Sequence, residues 1–288
     1  MSYPNMLFMG GSAPQGANFD TYAAKRWPLA TLLQAQDGRR WRFAENGGTA
    51  AVAGSLYQSE LPTEAWDQLV ITATATTARS ITVTNSSTAI AADDLLDGYL
   101  NVEDDTGEGR LYLLASHSAI ASAVAGTLNF APGNNPRVAL TSATTVGLSK
   151  NPFKDVIIHP SPPTARVVGW ANAAIAADEW GWIQTGGPVS ALTDEVLLAY
   201  KGVQPSAATN GAVSVHRQQI TMSASAAASA NFSGTKITDS QGADTTLVLH
   251  GAVSATTYDI GDTEVVVGWC MEVAATTEHS LVHAMLDA

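Results

Sequence analysis

The sequence contains little cysteine and little charge for its length. Of its 288 residues one is cysteine, Cys270, so no disulfide can form within the chain and a buried free thiol is expected. Charged residues make up 14% of the chain, well below the roughly 25% of an ordinary soluble domain. Alanine, serine, threonine and glycine take their place, which predicts a smooth surface that neighbouring molecules can cover.

Long apolar runs and targeting signals are lacking too. No stretch approaches the roughly 18 apolar residues that a membrane-spanning helix requires. Residues 1–12 lack the basic and apolar regions of a signal peptide. The sequence therefore predicts a protein that is made in the cytoplasm and has no membrane partner.

Motifs of the common enzyme classes are missing as well. The chain has no G-x-S-x-G, H-E-x-x-H, C-x-x-C, G-x-x-x-x-G-K-S/T or G-x-G-x-x-G. Residues 93–108 are rich in carboxylates, but their spacing does not match a calcium-binding loop, which favours a solvated acidic rim. We expect no catalytic residue, no cofactor and no metal, and thus a protein that is not an enzyme.

The charge that is present is mostly negative and unevenly distributed. The net charge of −12 argues against nucleic acid as a direct partner. Five of the fourteen basic residues lie close together near the N-terminus: Lys25, Arg26, Arg39, Arg40 and Arg42. This segment either docks onto an acidic surface or forms ordinary ion pairs in a solvated turn.

Residues 1–38 are predicted to form an extended N-terminal arm. Met6, Leu7, Phe8 and Met9 form an apolar run directly before a stretch that contains glycine and proline, GGSAPQGANF, and so short a run cannot build a core of its own. The run therefore packs on its own domain, lies on a neighbouring subunit, or belongs to a disordered terminus.

From Trp41 onward, short apolar runs alternate with turn residues at intervals of about ten residues, which predicts an all-β sandwich or barrel of short antiparallel strands. The Asn46-Gly47 pair predicts a hairpin between the first two of these strands. A polar stretch around 201–212 marks a boundary. We predict an N-terminal arm (1–38), a main β domain (39–205) and a smaller C-terminal β domain (206–288).

Two tryptophans are further candidate contact residues. Trp180 and Trp182 flank a glycine, so both indoles lie on one face of a predicted strand. Packing in the core is the simplest interpretation of this pair. The functional alternatives are an anchor at an oligomer interface and a platform on which a sugar stacks.

Five successive segments carry a resemblance to a known class of protein: WRFAENGGTAAVAGSLYQSE (41–60), a threonine-rich strand pair (69–85), DGYLNVEDDTGEGRLYLL (97–114), NPFKDVIIHP (151–160) and VVGWANAAIAADEWGWIQTGGPVSAL (167–192). Over roughly residues 40–195 the chain resembles virion structural proteins of tailed bacteriophages, and in character it is similar to capsid decoration (cement) proteins. The resemblance implies a homotrimer, made in the host cytoplasm, that lies on the outer surface of the capsid and bridges subunits of the major capsid protein.

The expected contacts with the capsid or between copies are Met6, Leu7, Phe8, Lys25, Arg26, Arg39, Arg40, Arg42, Trp180 and Trp182. Two other roles stay open at this point. The first is a tail, fibre or spike component of the virion. The second is a carbohydrate-binding module displayed on the head.

Overall fold

A computed structural model describes residues 6–216, 236–238, 244–246, 266–272 and 278–286. The all-β prediction is confirmed, because the helical elements in these ranges are two 3-10 helices, Ala17–Phe19 and Glu64–Trp66. The strands, numbered in chain order, are β1 (Met6–Phe8), β2 (Leu32–Gln34), β3 (Arg40–Glu45), β4 (Leu56–Gln58), β5 (Leu69–Ile71), β6 (Ser80–Thr84), β7 (Tyr99–Asp104), β8 (Leu111–Leu113), β9 (Ala125–Asn129), β10 (Thr145–Ser149), β11 (Ile157–Ile158), β12 (Val167–Ala171), β13 (Trp180–Leu192), β14 (Gly202–Pro205), β15 (Val213–Val215), β16 (Lys236–Thr238), β17 (Asp244–Thr246), β18 (Gly268–Cys270) and β19 (His279–Met285). No helix in the described ranges is long and apolar enough to cross a membrane.

The largest sheet has eleven strands. Its main path runs β1-β2-β3-β13-β19-β18-β14-β15, and β12, β4 and β11 branch from it at β13. The β1–β2 pair is parallel, and the other strand pairs of this sheet are antiparallel. The long β13 lies at the centre and pairs with β3 through its first half and with β19 through its second half.

A second sheet of six strands, in the order β8-β7-β10-β5-β6-β9, is inserted between β4 and β11. Its strands alternate as the sequence predicts: on β6, Ile81 and Val83 are buried while Ser80 and Thr82 are partly exposed. The residues that follow its two edge strands meet, with Ala131 N donating to Leu113 O (2.8 Å) and Ala115 N donating to Asn129 O (2.7 Å). This sheet therefore curls closed around its own core.

Contacts divide the chain into two units. The described residues 6–215, 266–272 and 278–286 belong to the first unit, and β16 and β17 pair with each other within the second. This division differs from the boundaries that the sequence suggested at residues 38 and 205. Strands β1 and β2 join the same sheet as β3, and β18 and β19 lie in that sheet between β13 and β14.

The hairpin predicted at Asn46-Gly47 is wrong. Strand β3 pairs with β2 and β13, while β4 pairs with β11 and β12. The Asn46 side chain instead donates hydrogen bonds from Nδ2 to Thr49 O (2.8 Å) and Ala176 O (3.0 Å). Asn46 therefore holds the loop after β3 against the segment around Ala176, and it does not form the tight turn of a hairpin.

Candidate docking surface

The three strands at one end of the large sheet bring together several of the predicted contact residues. Strand β1 pairs with β2, and β2 pairs with β3. The pairing forms two rows of cross-strand neighbours: Met6, Leu32 and Arg42 in one row, and Phe8, Gln34 and Arg40 in the other. Because directly paired residues point to the same side of a sheet, these six side chains share one face, the N-terminal face.

The opposite side of the same three strands is buried, which fixes their orientation. Leu7, Leu33, Trp41 and Phe43 alternate with the residues of the N-terminal face and pack in one apolar cluster. Among the predicted contact residues, Leu7 is therefore a core residue. The alternation of period two leaves Met6 and Phe8 outside, with 38% and 52% of their surfaces exposed.

The N-terminal face is cationic as well as apolar. Arg42 Nη1 donates a hydrogen bond to Ala30 O (3.0 Å), which holds its guanidinium close to the sheet. Within the ranges that the structure describes, no carboxylate lies in ion-pair contact with Arg40. The six residues of the face include no carboxylate of their own. Two exposed apolar side chains thus lie beside two arginines.

The other three cations of the basic segment form local contacts. Lys25 Nζ lies 2.6 Å from Asp97 Oδ2 and 5.8 Å from the centre of the Trp180 ring. Arg26 lies over the Tyr22 ring at 5.5 Å. Arg39 Nε pairs with Asp37 at 2.7 Å, and its guanidinium lies 5.2 Å from the Trp41 ring centre. Lys25, Arg26 and Arg39 therefore fit the interpretation of ordinary local contacts. Arg40 and Arg42 belong to the N-terminal face and fit the interpretation of a docking surface.

Trp180 and Trp182 lie in the core of the sheet. Both rings are buried and pack around Phe43, with ring centres 5.7 Å and 5.2 Å from that of Phe43. Trp27 lies 5.3 Å from Trp182 and extends the same aromatic cluster. Neither indole presents its face to solvent, so we assign both rings to packing and build no binding surface on them.

A network of charges that the sequence analysis missed joins the base of the six-stranded sheet to the large sheet. It contains two lysines and four carboxylates: Lys150, Lys154, Glu45, Glu60, Asp94 and Asp155. Lys150 Nζ lies 2.5 Å from Glu60, 2.6 Å from Asp94 and 3.1 Å from Asp155. Lys154 Nζ lies 2.8 Å from Glu45 and 3.2 Å from Asp155.

Burial and ion pairing have opposite effects on the pKa values of the two lysines in this network. Burial by itself lowers the pKa of Lys150, but the hydrogen bonds to Asp94 and Glu60 outweigh it and raise that pKa well above its usual value. Burial raises the pKa of Glu45, against the opposing effect of Lys154. Asp94 belongs to the stretch interpreted from sequence as a solvated rim, and here it is an internal ion-pair partner instead.

The described part of the chain holds no group of three or more histidine, cysteine, aspartate or glutamate side chains arranged to bind a metal ion. The N-terminal face is a surface suited to contact with another macromolecule, because it combines exposed apolar area with positive charge on fixed strands. Comparison with protein-family models, with curated proteins and with solved structures finds no match to this chain.

Proposed function

We propose that this chain is a non-enzymatic virion structural protein, a capsid decoration (cement) protein that binds the major capsid protein on the outer surface of the capsid. The observation that carries the proposal is the N-terminal face, with Met6 and Phe8 exposed beside Arg40 and Arg42. The resemblance in the sequence suggests that the particle is the virion of a tailed bacteriophage, and the N-terminal face is the surface that would attach to it.

The electrostatics of the chain favour attachment through this face. A chain with a net charge of −12 is repelled by an acidic capsid surface over most of its own surface. Arg40, which makes no ion pair with a carboxylate among the described residues, gives the N-terminal face a positive charge, so this face approaches first and orients the protein. Burial of Phe8 then adds roughly 1.5–3 kcal/mol of apolar stabilisation at each contact.

The face is also ready for binding before it meets a partner. Strand β1 is held by its pairing with β2 and by Leu7, which is buried in the core. Little conformational entropy is lost when such a preformed surface binds. A cement protein that reaches more than one capsid subunit gains further strength from avidity, so each single contact can be modest.

Replacement of Phe8 by alanine together with Arg40 by glutamate is expected to weaken capsid binding at least tenfold. The double variant removes the most exposed apolar side chain of the face and reverses one of its charges. Binding is measured by co-sedimentation of the purified protein with capsids assembled from the major capsid protein of the same phage.

The matched control replaces Leu111 by alanine and Arg110 by glutamate. These two residues are an exposed leucine and an exposed arginine on the six-stranded sheet, so the control changes net charge by the same amount. We expect the control to bind as the unmodified protein does. Equal binding by the two double variants, or equal loss in both, would contradict attachment through the N-terminal face.

The proposal also places the protein on the head and expects it to act as a homotrimer. Electron microscopy of virions labelled with an antibody to this chain tests the location. Label on the capsid shell supports the cement role. Label confined to the tail overturns it and favours the alternative of a tail, fibre or spike component.

A further inference from the structure

An open cavity lies in the large sheet where β13 stops pairing with β3 and begins to pair with β19. Its volume is about 680 Å³, and small-molecule sites ordinarily measure about 300–1,000 Å³. The lining comes from the turn between β2 and β3, the segment before β4, the end of β12, and strands β13 and β19, together with Phe19. All of these segments belong to the first unit, so the cavity is formed within one body.

Backbone hydrogen bonds fix the segment before β4 that lines this cavity. Gly54 N donates to Ala171 O (2.7 Å), and Leu192 N donates to Gly54 O (2.8 Å), so the segment is held between β12 and β13. Gly54 has a φ of +81°, and a Cβ at this position would lie 2.4 Å from the ring of His279. The lack of a side chain at Gly54 therefore lets the His279 ring, which also lines the cavity, lie against the backbone. The fold sets this part of the cavity before any ligand binds.

Two amide side chains add a fixed polar wall to the cavity. Gln184 is fully buried, and its Nε2 donates to Gly186 O (3.2 Å) and Pro188 O (2.7 Å). Its Oε1 accepts a hydrogen bond from Asn172 Nδ2 (2.7 Å), which holds the half-buried Asn172 in place. Asn172 Oδ1 is buried and has no hydrogen-bond partner in the part of the chain that the structure describes. A buried acceptor without a partner is unfavourable, so this atom favours a ligand that carries hydrogen-bond donors.

The lining of the cavity includes one carboxylate and one guanidinium, and these two groups pair with each other. Arg39 Nε lies 2.7 Å from Asp37 Oδ2, and Arg39 N donates to Asp37 Oδ1 (3.1 Å). The side chain of Asp37 is 55% exposed and that of Arg39 is 34% exposed, so both groups are accessible to a ligand. This wall is therefore rich in hydrogen-bonding groups, while its two charges balance.

An exposed aromatic ring contributes to the same lining. Phe19 has 57% of its surface exposed and is the last residue of the 3-10 helix Ala17–Phe19. Ala17 and Asn18 of this helix are buried, which fixes the position of the backbone that carries the ring. Pro188 and Leu281 add further apolar surface. The cavity thus combines apolar surface with a few convergent polar groups, as small-molecule sites do.

We infer that this cavity binds an uncharged saccharide. A sugar has hydroxyl groups, which donate to a carboxylate and accept from a guanidinium, and an apolar C–H face, which packs on an aromatic ring. An anionic ligand would meet the carboxylate of Asp37, and a cationic ligand would meet the guanidinium of Arg39, so the paired charges favour an uncharged ligand. A wholly apolar ligand would leave the polar groups of the lining without hydrogen bonds.

This inference goes beyond attachment to a capsid and does not depend on it. The sequence suggested Trp180 and Trp182 as a platform on which a sugar stacks, but both rings are buried. Phe19 is exposed and lines the cavity, so we assign the stacking role to it. Saccharide binding is measured on the free protein. Absence of that binding would contradict this inference alone, and absence of capsid binding would contradict the proposed function alone.

A glycan array probed with the fluorescently labelled full chain tests the inference. The array carries neutral hexose oligosaccharides beside sialylated and sulfated ones, and its dense display strengthens weak single contacts. We expect the protein to bind one or more of the neutral oligosaccharides. Binding to none of the glycans, or binding only to those that carry an acidic group, overturns the inference.

Isothermal titration calorimetry with the neutral oligosaccharide that binds most strongly then locates the site. Replacement of Phe19 by alanine and of Asp37 by asparagine should each raise the dissociation constant at least tenfold. Ser190 is an exposed residue of the lining, and its replacement by tryptophan should fill the cavity and abolish binding. The Ser190 variant tests the site by obstruction, so it does not depend on the loss of any one contact.

The matched controls replace Tyr200 by alanine and Asp104 by asparagine. These residues are an exposed aromatic ring and an exposed aspartate, and neither lines the cavity. We expect both controls to bind the oligosaccharide as the unmodified protein does. Unchanged binding by the three cavity variants, or an equal loss of binding in the controls, would contradict the assignment of the saccharide to this cavity.

Discussion

Replacement of Phe43 by alanine is expected to lower the free energy of unfolding by about 3–5 kcal/mol. The ring is fully buried at the centre of the aromatic cluster, with its centre 5.2 Å from those of Trp27 and Trp182 and 5.7 Å from that of Trp180. Truncation removes the transfer free energy of the ring and leaves a cavity that three rigid neighbours cannot fill. Denaturant unfolding followed by tryptophan fluorescence measures the loss.

Replacement of Phe8 by alanine is the matched control for this experiment. The same side chain is removed, but Phe8 lies half exposed on the N-terminal face. We expect this variant to unfold within about 0.5 kcal/mol of the unmodified protein. A loss below about 1 kcal/mol for the Phe43 variant, or similar losses in the two variants, would contradict the packing described for the aromatic cluster.

The strands themselves could be predicted from the sequence, because period two is a local property. Strand β6 alternates buried and more exposed residues along its length, and β3 does so from Arg40 to Phe43 before the buried Ala44 interrupts the pattern. Their partners could not be predicted in the same way. Residues 186–192 pair with residues 279–285, which lie more than 80 positions later, and no local pattern encodes that pairing.

The domain boundary expected near residue 205 also rested on local sequence patterns, which do not show how distant strands pair. The polar stretch around 201–212, which the sequence suggested as the start of a separate domain, contains strand β14 and the turn that leads from it to β15. Strands β18 and β19 return to the first sheet after the second unit. A composition shift indicates a turn, but it cannot show whether the chain later comes back.

The candidate surface could be predicted in part. Arg40 and Arg42 alternate with Trp41 and Phe43, so sequence alone places both arginines on one side of β3. The partner of Lys25 could not be found in this way, because Asp97 lies 72 residues further along the chain. For the same reason the sequence did not reveal that two residues of the acidic stretch, Asp94 and Asp97, pair with lysines from distant segments.

Replacement of Lys150 by methionine is expected to lower the free energy of unfolding by about 3 kcal/mol. Only 17% of the lysine side chain is exposed, and its ammonium group contacts three carboxylates. Glu60 precedes the six-stranded sheet and Lys150 directly follows it, so their contact closes the base of the inserted sheet. Methionine keeps the length of the side chain but removes the lysine that Glu60 and Asp94 contact, while Asp155 keeps its contact with Lys154. Chemical denaturation at neutral pH measures the change.

The pH dependence of this loss distinguishes charge from packing. The pKa of Lys150 is raised in the folded state, so its stabilising contribution is fully present below the ordinary lysine value of about 10.5 and disappears as the pH rises through the raised value. The difference in unfolding free energy between the unmodified protein and the methionine variant should therefore stay constant up to about pH 10.5 and narrow as the pH rises from there through the raised pKa. An arginine at position 150 should retain most of the stability, because it keeps the charge. A difference that stays constant into strongly alkaline solution would assign the loss to packing and contradict the electrostatic role of the network.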